Sequence, residues 1–140
     1  MQTPLTRILL AVLAVLGIAP GAWAAFAPES FYTDFPGFRS AWVSGDGPYN
    51  EHLIRDVGGF FLALGLLALV AAISGKSLAA KLAGVAWLVF SLVHAWYHLR
   101  HLQVYPEPID QWLNAIGMIG SIALSLAVVI LPGRRTLANS

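Results

Sequence analysis

The sequence predicts an all-α protein, an antiparallel four-helix transmembrane bundle with an outer capping loop. Three observations carry this: an oily composition, four apolar stretches of spanning length, and the sorting of charges between their ends. Of 140 residues, 58% are hydrophobic and only 11% charged. A soluble domain carries about 25% charged residues, so this chain could not cover its surface in water. A spanning helix needs about 20 mostly apolar residues. Segments near residues 5–27, 52–74, 78–99 and 109–131 qualify, giving a single transmembrane domain over residues 1–140.

The first segment has two readings. Arg7, an apolar run from Ile8 to Ile18, and "APGAWA" with Ala22 and Ala24 in A-x-A spacing resemble a secretory signal. The apolar run, however, continues through Pro20 and Gly21 to Ala27, which is long enough to span. Retention is the expectation; cleavage of residues 1–24 would leave three helices in the same topology. Residues 28–51 then form the outer loop, with Pro28, Pro36, Pro48 and "SGDG" at Ser44 to Gly47. It is too polar to span and is expected to cap the bundle. A short basic link at Lys76, with Lys81 just inside the third span, joins the second and third spans. Trp87 lies mid-helix in the third and reads as packing. "YPEPIDQW", Tyr105 to Trp112, is a two-proline turn whose Glu107 and Asp110 suit the positive start of the fourth helix. A functional alternative has Asp110 reaching the histidines described below.

Orientation follows from the charges. With Met1 in the cytoplasm, the inner segments hold Arg7, Lys76, Lys81, Arg134 and Arg135. The outer segments hold Arg39, Arg55 and Arg100, and all seven acids. Five basic residues against three agree with the positive-inside rule. The expected location is therefore a membrane, multi-pass, with both termini cytoplasmic. The lipid bilayer is one expected partner and another protein or a second copy a further one; nucleic acid is not expected. Trp and Tyr crowd the outer half, as an interfacial belt would.

All four histidines also fall on the outer half. On a helix, His52, Arg55 and Asp56 share one stripe, with Glu51 at its mouth. In "HAWYHLRH", His94, His98 and His101 share another. The two helices are joined by a short link, so they are expected to be antiparallel neighbours with the stripes facing each other. Gly58, Gly59 and Gly65 would allow close approach.

This polar cluster (Glu51, His52, Arg55, Asp56, His94, His98, His101) supports several readings. In the first it is structural, its charges paired with one another because buried charges need partners. In the second, His94 and His98 at i and i+4 bind a metal ion with Asp56 or His52. His101 would lie outside, since His94 and His101 are about 10.5 Å apart along the axis. Four histidines undersupply a histidine-rich di-iron centre. A third reading places a b-type haem between His52 and His94 or His98. Quinone or lipid binding beside Trp96 and Tyr97 is comparable. Arg100 and "GRR" at Gly133 to Arg135 are ordinary helix-end cations. The chain has no cysteine, which removes disulfides and thiolate sites.

The string "PYNEHLIRDVG" and the later "HAWYHLRH" carry a resemblance to small bacterial four-helix membrane proteins of the DoxX-like class. The resemblance implies a four-span fold and, from quinone-linked or redox-associated members, an outer-face redox or partner role. It supplies no catalytic residues. The lack of cysteine separates the chain from the disulfide-forming four-helix relatives of vitamin K reductase. Two function classes follow: a structural or accessory membrane protein, and a metal-binding or redox protein using the cluster.

Overall fold

A computed structural model describes residues 1–39 and 41–131. Arg134 and Arg135 lie outside the described residues. The chain forms α1 (Pro4–Phe26), α2 (Pro28–Asp34), α3 (Glu51–Ser74), α4 (Ser77–Arg100) and α5 (Pro108–Ile130), with short 3-10 turns at Val43–Asp46 and Leu102–Val104. Among the described residues there is no strand. The four long helices have 23, 24, 24 and 23 residues. At about 1.5 Å per residue, each exceeds the roughly 30 Å of a bilayer core. All four are apolar enough to cross, so this is a multi-pass membrane protein by length and composition. Each end falls within one residue of the expected boundary.

Local chemistry sets those ends. Thr3 caps α1 by accepting from the Thr6 N–H at 3.1 Å, and Asn50 caps α3 by accepting from Leu53 N–H at 3.1 Å. Proline opens α1, α2 and α5, where its missing N–H has no intrahelical partner to lose. Gly75 ends α3 at φ +66°, a left-handed conformation that glycine adopts without strain.

The helices pack as two pairs. α1 runs against α3 along a small-residue seam: a Cβ added to Gly65 would come within 2.6 Å of Ile18 N. Such a seam lets backbones approach where lipid tails give no hydrophobic drive for association. α4 packs along α5, and the contact between α3 and α4 is thinner. Trp87 ties the pairs together. It is 2% exposed, its Nε1–H donates to Leu64 O at 3.0 Å, and its ring meets Phe61 edge-on. The central core around it includes Leu10, Leu13, Ala68, Ala83 and Val128.

This corrects the expected arrangement of α3. Gly58 and Gly65 face α1, not α4, and nothing lies within 4 Å of a Cβ added at Gly59. With its narrow face taken by α1, α3 turns His52 and Asp56 away from the bundle interior.

Candidate functional site

The 28–50 segment folds over the α1 C-terminus and the α5 N-terminus. Its base is aromatic: Trp23, Phe31 and Phe35 meet at ring-centroid distances of 4.7–6.1 Å. Trp23 Nε1–H donates to Ser30 Oγ at 3.1 Å, and Tyr32 O–H donates to Gly47 O at 2.8 Å. The Phe35–Pro36 peptide is cis, and Trp42 N–H donates back to Phe35 O at 2.8 Å.

Two polar links tie this cap to the bundle. Arg39 donates from Nε to Asp110 Oδ1 at 2.8 Å and from Nη2 to Oδ2 at 3.3 Å. Asp110 is 0% exposed, so this bidentate pairing sits where a carboxylate needs it most. The hydrogen bond to Asp110 raises the Arg39 pKa further above its ordinary value.

The second link runs through Tyr105, which is 2% exposed. Asn114 Nδ2 donates to the Tyr105 oxygen at 3.0 Å, and the same oxygen lies 3.2 Å from His98 Nδ1. Asp46 Oδ2, from the cap, is 3.8 Å from that nitrogen. Burial, reinforced by the Asp46 charge, pushes the Tyr105 phenol pKa up, so it keeps its proton. The Tyr105 hydroxyl and His98 Nδ1 thus share a hydrogen bond whose direction is set by the His98 tautomer. Trp42 packs edge-on against Tyr105 at 5.8 Å. Among the described residues, Trp42 Nε1 and Asn114 Oδ1 are buried without a hydrogen-bond partner.

The stripes expected to face each other are separate. His52 Nε2 pairs with Asp56 Oδ2 at 3.2 Å on their own helix, with side chains 88% and 53% exposed. Arg55 pairs with Glu51 at 2.8 Å and also donates to Ala25 O. His94 and His98 do come together, at a centroid distance of 4.5 Å, but His94 stacks on Phe90 and touches Phe61. His101 lies beside Tyr97, its Nδ1 2.8 Å from Tyr97 O. Among the described residues no three His, Asp or Glu side chains group as metal ligands. The set His94, His98, Asp56 and His52 is therefore not assembled, and neither is a bis-histidine pair across α3 and α4, because His52 points outward. Asp110 meets Arg39 where the sequence reading weighed a histidine partner.

Sequence reasoning passed over Arg39, Asp46, Tyr105 and Asn114. A signal was present for two of them. Arg39 is the only cation between residues 28 and 50, and Asn114 is a polar amide one turn into a span, four residues after Asp110.

Residues 5–95 match the family model described as Domain of unknown function (DUF4345). The chain belongs to this family. No curated protein and no solved structure matches it. The DUF4345 match covers α1, the cap, α3 and most of α4, including Arg39 and Asp46. It stops before His98, Tyr105, Asp110 and Asn114, so the cap site joins residues inside the DUF4345 match to residues beyond it.

Proposed function

We propose that this DUF4345 protein is a structural or accessory protein of the bacterial inner membrane, with both termini cytoplasmic and a fastened cap on the outer face. The observation that carries this is the bidentate Arg39–Asp110 pair, which fixes the cap to a carboxylate with no exposed surface. The polar groups at this end mostly engage one another, which suits a rigid lid better than an open reaction site. The charge sorting supports the orientation: Arg7, Lys76 and Lys81 lie at the end opposite the cap, and the acids lie at the cap end. Retention of α1 is part of this reading, supported by its glycine seam with α3 and by Gln2, whose Nε2 donates to Ala71 O at 2.8 Å and Lys76 O at 3.0 Å. The four spans also suit the DoxX-like resemblance at the level of architecture.

A second reading, a quinone-associated redox protein, draws on the partly buried His98–Tyr105 pair beside Trp42 Nε1 and Asn114 Oδ1, which lack hydrogen-bond partners. Absorption spectroscopy and elemental analysis of protein purified from membranes in mild detergent separate the two. The accessory reading expects neither a bound chromophore nor stoichiometric metal. A quinone spectrum, a Soret band or one equivalent of metal that disappears in His98→Ala would overturn it.

A further inference from the structure

The small-residue motif of Ala22 and Ala24 marks one peptide for cleavage, the Ala24–Ala25 bond. That bond lies inside α1, which stays helical to Phe26. α3 lies directly against it. A Cβ added to Gly58 would come within 2.5 Å of Ala25 N and 3.0 Å of Ala24 C, so both atoms of the bond face the Gly58 backbone. Arg55, just before Gly58 on α3, donates to Ala25 O. The Ala24 side chain is 1% exposed and packs with Phe31 and Ile54. Trp23, between the two alanines, is held in the base of the cap by its bond to Ser30 Oγ. Every part of the motif is thus engaged by α3 or the cap.

α1 is weak just ahead of this bond. Pro20, one turn before Ala24, removes a hydrogen bond from the helix ladder, and Gly21 favours the helix little. Packing holds the segment instead: a Cβ on Gly21 would come within 2.7 Å of Leu62 N. A bond in packed structure is cut from an opened state, so its cleavage reports how often the packing opens. Ala25 and Ala27 repeat the spacing, but the bond that follows leads into Pro28, which lacks the N–H of an extended strand.

We propose that Ala24–Ala25 is a concealed processing site, a signal-peptidase bond that α3 shields once α1 is seated and that is cut when seating fails. The inference rests on the orientation and the retention of α1 proposed above, which put this bond at the outer face. Cleavage adds water across the peptide: the Ala24–Ala25 C–N bond breaks, leaving a carboxylate on Ala24 and an amine on Ala25. Loss of residues 1–24 takes Leu10, Leu13 and Ala14 out of the central core. A cut chain cannot rebuild the bundle, so the site marks chains in which α1 has not met α3.

The test incubates the full-length protein in mild detergent with purified bacterial signal peptidase and follows intact mass. Gly58→Leu must displace the Ala24–Ala25 backbone, and is expected to lose residues 1–24 several-fold faster than the natural protein. Gly17→Leu, about two turns away on the same seam, should behave alike. Adding Ala22→Phe to Gly58→Leu should stop the cut, because it destroys the small-residue spacing. Gly84→Leu is the control: it overpacks α4 against Val128, leaves the α1–α3 seam untouched, and is expected to stay intact. An intact Gly58→Leu protein, a cut unaffected by Ala22→Phe, or a Gly84→Leu protein cut as fast as Gly58→Leu overturns the inference and leaves the retention of α1 standing. Rapid loss of residues 1–24 from the natural protein overturns both.

Discussion

Gly17 of α1 and Gly65 of α3 touch backbone to backbone: a Cβ built on Gly17 would come within 2.6 Å of Gly65 Cα. The contact leaves no room for a side chain on either helix, and both atoms in conflict belong to rigid main chain. Gly17→Leu must therefore push α1 off α3. The expected cost is about 1–3 kcal/mol or more, as for overpacked cores. Equilibrium unfolding in detergent measures it. Gly117→Ala, where an added Cβ meets nothing within 4 Å, is the control and should be neutral or slightly stabilising.

Removing Arg39 takes a guanidinium from a fully buried carboxylate. Arg39→Ala is expected to loosen the cap, read as faster proteolysis within residues 28–50. The double variant Arg39→Ala with Asp110→Ala should be less affected than Arg39→Ala alone, because it no longer buries the charge. A rate for Arg39→Ala equal to that of the natural protein would show that the pair does not hold the cap.

Trp87→Phe keeps an aromatic ring but loses the indole donor to Leu64 O. It leaves that carbonyl short of one donor and a gap in the seam between the helix pairs. A destabilisation of about 1–3 kcal/mol is expected, from a buried hydrogen bond and lost volume together. Thermal unfolding followed by near-ultraviolet circular dichroism reports it.

The pH dependence of stability should show Tyr105. Its folded pKa is raised above the ordinary value of 10.0, chiefly by burial. The folded state thus holds the phenolic proton more tightly than the unfolded state. That contribution is fully present below about pH 10 and is lost as pH rises from there toward the folded pKa. Stability measured across this alkaline range should fall more steeply in the natural protein than in Tyr105→Phe.

The four spans were legible because hydropathy alone decides them, and the caps and prolines fix their ends to a residue. Helix partnering was not. The glycines of α3 were visible in the sequence, but nothing in one chain says that Gly58 and Gly65 meet α1 rather than α4. A helix has several faces, and a rotation of about 100° per residue moves His52 from interior to exterior when the small face is claimed elsewhere. The histidines on α4 were legible as a pair, His94 beside His98. Their true companions, Tyr105, Asn114 and Asp46, come from a turn, another span and the cap, and no periodicity links such segments. Asp110 stood out as an acid at a span's mouth, but its partner lies 71 positions away along the chain in an irregular loop.

Pairing each span chiefly with the next one along the chain has a bearing on biogenesis. α1 meets its main neighbour as soon as α3 has been synthesised, and α4 as soon as α5 has. Both helical hairpins can close from local contacts, which form quickly. Only then need the indole of Trp87 and the Arg39 clasp join one hairpin to the other, so the order in which the ribosome delivers the chain is also the order in which its interfaces are completed.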